Sequence, residues 1–235
     1  MRDVEVFPDP EHVAGAVASR FLDRIVAAQA RGEVPQVLLT GGTVARLVHR
    51  EIAELATGGP VDWTRIVFWF GDERFVPADS ADRNCGQARA DLLDRVGATR
   101  VHEVAASDQG GTLEETARSY AALIAAQAPD GFDLVMLGMG PDGHVASLFP
   151  GHPELTAPGT AVAVRDSPKP PPERVSLTFA ALNHARAVWF LVTGAEKAAA
   201  VQRAWAFDGS VAETPARGIT GPSVTWFVDQ AASGQ

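Results

Sequence analysis

Five short runs of this chain are apolar at nearly every position: residues 36–40 (QVLLT), 65–70 (RIVFWF), 133–138 (DLVMLG), 187–193 (AVWFLVT) and 223–228 (SVTWFV). Unbroken hydrophobicity over so short a span predicts strands covered on both faces. The segments between them carry helical patterns over residues 9–31, 43–56, 84–96, 112–128 and 195–206. The first has Asp9 to cap it, Pro10 at its first position and Gly32 at its exit. Two others show capping-box spacing, Thr112 with Glu115 and Thr193 with Glu196. Strands alternating with helices imply parallel β-α-β units. The expected fold is therefore α/β, one domain over residues 1–235 with an open, Rossmann-like, mostly parallel sheet and helices on both faces. Proline breaks the pattern most densely in residues 165–175 (RDSPKPPPERV). This stretch is expected to be irregular, either a basic flap carrying Arg165, Lys169 and Arg174 or a plain surface connection.

Composition changes this picture only in part. With 46% hydrophobic and 21% charged residues the chain reads as an ordinary soluble globular protein. It shows neither a leader-like apolar segment nor a run near the roughly 20 residues that span a bilayer, so a cytoplasmic protein is expected. A net charge of −9 disfavours nucleic acid and anionic membranes as partners. If the substrate is an anion, positive charge has to be gathered locally. The single cysteine, Cys85, excludes an intrachain disulfide and a thiolate metal cluster.

In an open parallel sheet ligands collect at the carboxyl ends of the strands, and four loops there carry unusual residues. In TGGTVARL, Gly41, Gly42 and Thr43 join a strand to a helix, an arrangement that offers free N–H groups to an anion but lacks the lysine and spacing of a P-loop. In GDERFVP, Asp72, Glu73 and Arg74 follow a very apolar strand, where charge is costly unless paired or used in binding. Neighbouring residues of an extended segment point to opposite sides, and no second cluster has ligand spacing, so no metal is expected. In GMGPDGHVASLFPG the glycines fit the dinucleotide pattern G-x-G-x-x-G, yet Pro150 leaves no room for the helix that pattern requires. Asp142 and His144 instead suggest a histidine held in a backbone-lined hollow and able to move protons near neutral pH. His12, His49, His102, His152 and His184 are read as structural. In VTGAEKAAAV, Lys197, one of only two lysines, stands in a first helical turn, where its charge makes better sense with an anion between it and the helix.

Taken in order, these blocks resemble the family of 6-phosphogluconolactonases and glucosamine-6-phosphate isomerases/deaminases, over nearly the whole chain. The deaminase branch has a catalytic Glu at the fifth position after the histidine, where this chain has Phe149, and D-E-Y where this chain has Asp72-Glu73-Arg74. The resemblance is therefore to the lactonase branch. It implies hydrolysis of 6-phospho-D-glucono-1,5-lactone, in the oxidative pentose phosphate pathway, without cofactor or metal; a monomer acting on a small-molecule substrate is expected. By the same resemblance His144 is the acid/base group, supported by Asp142, and Asp72 faces the sugar hydroxyls. Gly42, Thr43, Arg74 and Lys197 hold the phosphate, while Gly140, Gly143 and Arg174 complete the substrate site. Backbone N–H groups of the glycine loop are the candidates to stabilise an oxyanion. A sugar-phosphate sensor without turnover is the alternative, although no DNA-binding segment of the kind such regulators carry is evident.

Overall fold

The computed structural model describes residues 2–235. Ten strands are present among them: β1 (Arg2–Phe7), β2 (Gln36–Leu39), β3 (Val67–Phe70), β4 (Asp72–Arg74), β5 (Arg100–Val101), β6 (Leu134–Gly138), β7 (Ala161–Val164), β8 (Arg174–Leu177), β9 (Val188–Val192) and β10 (Val224–Asp229). Seven form one wholly parallel sheet in the order β1-β10-β9-β6-β2-β3-β5. Its apolar strands are buried on both sides by two separate cores. Along β3, Val67 and Trp69 enter one core and Phe68 and Phe70 the other; along β9, Val188, Phe190 and Val192 face the first core and Trp189 and Leu191 the second. Helices α1 (Pro10–Ala30), α2 (Thr43–Leu55) and α3 (Asn84–Ala88) cover one face. Helices α4 (Leu113–Gln127), α5 (Phe179–Asn183), α6 (Ala198–Trp205) and α7 (Gln230–Ser233) cover the other.

Asp9 caps α1 by accepting the His12 N–H at 2.9 Å, and Thr112 and Glu115 form the full capping box of α4. The box expected at Thr193 and Glu196 does not form. A bond of 3.0 Å from Lys197 N–H to Gly194 O closes a tight 3₁₀ turn over Ala195–Lys197, and α6 starts only at Ala198 without a side-chain cap. The helix expected over 84–96 is also shorter. It widens after Ala88 into a π turn, Arg89–Leu93, which buries Leu92 and Leu93 together.

The edge strands β1 and β5 of the parallel sheet, and the three remaining strands, lie outside the sequence expectation. β4, β8 and β7 form a small antiparallel sheet, with Arg74 opposite Arg174 and Ser176 between Asp72 and Val162. The charged block read as a loop is thus a strand, and the proline-rich segment becomes regular at Arg174, just past the prolines, which cannot donate to a ladder. Tyr120 of α4 fixes the junction between the two sheets. Its buried hydroxyl accepts the Phe70 N–H at 2.9 Å and donates to Phe70 O at 3.0 Å, just before the chain turns from β3 into β4.

His49 of α2 is 2% exposed, and neither ring nitrogen has a hydrogen-bond partner. Burial outweighs the attraction of nearby Asp91, while Arg46 and Arg50 add to the penalty, so the imidazole pKa falls to about 4. An unfolded histidine protonates near 6.5, so the unfolded chain binds the extra proton first as pH falls. Stability is expected to drop between pH 6.5 and 4, by about 3 kcal/mol from this residue. Urea unfolding across this range should show a shallower decline in His49→Leu than in the parent; parallel pH profiles would remove His49 as the cause.

Candidate active site

At β2 the strand order reverses, with β3 on one side and β6 on the other, so the loops leaving β2, β3, β6 and β9 meet at the carboxyl edge of the sheet. They enclose a cleft of about 360 Å³ lined by Gly42, Thr43, Asp72, Arg74, Gly140, His144, Arg174 and Lys197 among the residues singled out in the sequence. Asp142 and Gly143 do not line it. Thr40, Asn84, Lys169 and Glu196 do.

The loop after β6 folds back on itself: Gly143 N–H donates to Gly140 O at 2.9 Å and Gly140 N–H to His144 O at 3.0 Å. A side chain at Gly140 would place its Cβ 2.0 Å from the His144 ring and 2.5 Å from Asp142 Oδ1, so only glycine lets the imidazole lie on the backbone. Gly143 has φ of 93° and backs onto Thr214; it shapes the turn. Because both amides are engaged within the loop, Gly140 and Gly143 are not free oxyanion donors, contrary to the sequence expectation. No helix follows, as Pro150 implied.

Asp142 Oδ1 lies 2.5 Å from His144 Nδ1 and accepts the His144 backbone N–H at 3.2 Å. Partial burial opposes charge on Asp142, but the hydrogen bonds and charge of His144, with Lys169 adding to them, hold its carboxyl well below the usual range. An ionised carboxylate only accepts, so the Nδ1 proton belongs to the histidine. His144 Nε2 then has a free lone pair and, among the described residues, no hydrogen-bond partner. The Phe149 ring packs 4.6 Å from the imidazole.

The three charges after β3 separate as alternating positions should. Glu73, fully buried, turns away from the cleft and accepts N–H bonds from Arg74, Asn84 and Cys85 at 2.7–2.9 Å, which caps α3; burial nonetheless pushes its pKa up. Asp72 faces the cleft. Ser147 Oγ donates to its Oδ2 at 2.7 Å, Asn84 Nδ2 to its Oδ1 at 3.3 Å, and the Arg174 guanidinium stands 3.9 Å away. Arg74 donates to Asp82 O at 2.5 Å and keeps its Nε buried without a protein partner. Burial and Glu73 push the Cys85 thiol up to about 12, which excludes it as a nucleophile at neutral pH.

Helix α2 begins at Gly42 with no side-chain cap, whereas α1, α4, α5 and α7 are all capped by side chains. Its first N–H groups therefore suit an anion. Lys197 is half-buried, and burial followed by repulsion from Lys169 lowers its pKa. Both lysines of the chain thus reach one cleft. With Arg74 and Arg174 they set four cations against the lining carboxylates of Asp72 and Glu196. Lys169 had a sequence signal in the rarity of lysine, though it was read only as part of a flap. Asn84 had none, since it looked like an ordinary helix start.

Residues 8–226 match the glucosamine-6-phosphate isomerases/6-phosphogluconolactonase family. The chain is 42% identical to a 6-phosphogluconolactonase of Streptomyces coelicolor, over 98% of this chain and 93% of that one. It is 40% identical to a 6-phosphogluconolactonase of Mycobacterium leprae, over 98% and 96%. Among solved structures it resembles the 6-phosphogluconolactonase of Trypanosoma brucei, with a TM-score of 0.84, 26% identity and coverage of 100% and 98%.

The pairing with Asp142 fixes a tautomer that can be observed directly. Two-bond ¹H–¹⁵N spectra above neutral pH are expected to show His144 protonated at Nδ1 and bare at Nε2, and Asp142→Ala should shift the proton toward Nε2. An Nε2–H imidazole in the parent would contradict the hydrogen bond assigned here.

Proposed function

The chain belongs to the glucosamine-6-phosphate isomerase/6-phosphogluconolactonase family, and from that premise we propose that it hydrolyses 6-phospho-D-glucono-1,5-lactone to 6-phospho-D-gluconate with His144 as general base. The observation that carries this reading is an imidazole oriented by Asp142, with a bare Nε2, in a cleft lined by four cations.

Nε2 takes a proton from water as the water oxygen attacks C1, and returns it to the ring oxygen as the C1–O bond breaks. Asp142 stays charged throughout and steadies the imidazolium formed between these steps. With the Gly140 and Gly143 amides engaged, the charge that develops on the carbonyl oxygen falls to the cations of the cleft. The phosphate sits on the uncapped start of α2 at Gly42 and Thr43, with Arg74 and Lys197 as its charged partners. Binding energy gained there, remote from C1, orients the lactone for attack. Asp72, held by Ser147, accepts from sugar hydroxyls. Phe149 supports hydrolysis over amino-sugar isomerisation, because it leaves no second carboxylate beside the imidazole to move protons between carbons.

In an assay corrected for spontaneous lactone opening, His144→Ala is expected to lower kcat by about a hundredfold or more. Unchanged turnover would remove His144 as the base, and ligand-dependent thermal stabilisation of a parent without turnover would favour a sensor. Arg74→Ala and Lys197→Ala should weaken binding of the phosphorylated lactone by about 1.5–3 kcal/mol each. If both variants prefer the phosphorylated over the unphosphorylated lactone as strongly as the parent, the phosphate lies elsewhere.

A further inference from the structure

Arg174 carries the residue type of a substrate anchor and lines the cleft, yet its donors are engaged by the protein. Nε donates to Pro171 O at 3.1 Å, and Nη2 to Lys169 O at 2.9 Å and Pro170 O at 3.5 Å. Nη1 donates to Ser147 Oγ at 3.4 Å and stands 3.9 Å from Asp72 Oδ2. The side chain is 5% exposed, and the guanidinium carbon lies over the Phe149 ring at 5.7 Å from its centroid. A guanidinium has five N–H groups in a fixed fork, and here that fork grasps three consecutive carbonyls of the proline-rich strap on one side and the Ser147–Asp72 pair on the other. Prolines 170–172 have no N–H to anchor the strap themselves. Besides this grip, the strap is tied at its base by Ser167 N–H to Pro172 O at 3.1 Å and by Ser167 Oγ to Lys169 O at 2.9 Å.

We propose that Arg174 is a positioning residue: it binds the backbone of the strap so that Lys169 projects into the cleft, and it acts on the substrate through Lys169. The charge pattern agrees with that purpose. Lys169 lies close enough to Lys197 and Asp142 to perturb both, so two ammonium groups face the same space and an anion between them relieves their repulsion. Holding one there without a bound anion takes a rigid backbone, which the fork supplies. A lysine in place of Arg174 keeps the positive charge beside Asp72 but cannot hold three carbonyls and a hydroxyl in one plane.

The kinetic part of this inference rests on the lactonase reading, so the test combines kinetics with a measurement independent of turnover. Arg174→Ala leaves Asp72 buried without its cation and is exposed to misfolding, which makes Arg174→Lys the main variant. Lys169→Ala is expected to raise KM for the phosphorylated lactone by about tenfold or more, the size of a lost charged hydrogen bond, with a smaller change in kcat. Arg174→Lys should do the same, and the double variant should be no worse than either single one, because both remove one contact. Without any substrate, hydrogen exchange of the Ser167 and Lys169 amides should be at least tenfold faster in Arg174→Lys while the β6 and β9 amides are unchanged. Multiplying kinetic defects, or strap amides that exchange as in the parent, would overturn the proposal. A parent that turns over no lactone would overturn the functional reading instead, and the exchange experiment would still decide the role of Arg174.

Discussion

The hydrogen bond from Ser147 to Asp72 joins parts of the molecule that are distant in sequence and on which the site depends. Ser147 lies three residues past His144 in the loop leaving β6; Asp72 opens β4, the link from the large sheet to the small one. Both groups are buried, and a buried carboxylate is tolerated only with hydrogen bonds and a counter-charge. Arg174 supplies the counter-charge from β8, and in doing so brings the proline-rich strap to the same point. The small antiparallel sheet is therefore part of the site's construction: it carries Asp72 and Arg74 on one strand and Arg174 on the strand paired with it. Ser176, next to Arg174 but one, adds a second tie by accepting the Ser147 N–H at 3.1 Å.

This dependence explains what could and could not be read along the chain. The five inner strands of the large sheet were legible because burial on both faces leaves an unbroken apolar signature, as in Val67–Phe70 and Val188–Val192, whereas the edge strands β1 and β5, partly exposed, carry no such signature. Caps at Asp9 and Thr112 were legible because their partners are three residues away. The strands β4, β7 and β8 are three or four residues long, and two of them begin or end in charge; their stability comes from one another and from α4, contacts distant in sequence. The failed box at Thr193 shows the same limit: local spacing was right, but the chain enters a 3₁₀ turn capped by Gly194, whose N–H is held by Asp229 of β10, 35 residues further on, at 3.0 and 3.1 Å.

The candidate site divides along the same line. His144 and Asp142 were legible as a pair because a short loop after a strand holds them together, whereas the part played by Gly140, which makes room for the ring, shows only in the structure. Roles that depend on the whole fold were not. Whether a glycine amide is free for a ligand depends on where its bond goes, and those of Gly140 and Gly143 close the loop. Glu73 and Asp72 are adjacent in sequence and of the same chemistry, but the pleat of β4 sends one to cap α3 and the other to the cleft. The guanidinium of Arg174 could be placed near a ligand from its sequence neighbourhood, but not its commitment to the three carbonyls before it.

A net charge of −9 and a cleft lined by cations are complementary features. Elsewhere on the molecule arginines are largely paired, as in Arg20 with Glu5, Arg46 with Asp91 and Arg89 with Glu103. The cleft differs from these pairs in that its cations exceed its carboxylates and helix α2 presents uncapped amides beside them, a combination that suits an anion. Within that region the neutral Phe149 is as important as the charges. A carboxylate packed against the imidazole would add a second acid/base group and a negative charge beside it; the buried phenyl ring, 4.6 Å from the imidazole centroid to centroid, does neither. It leaves His144 with one carboxylate partner at Nδ1 and one open lone pair at Nε2, an arrangement suited to moving a proton between water and a leaving oxygen, and not from one carbon to the next.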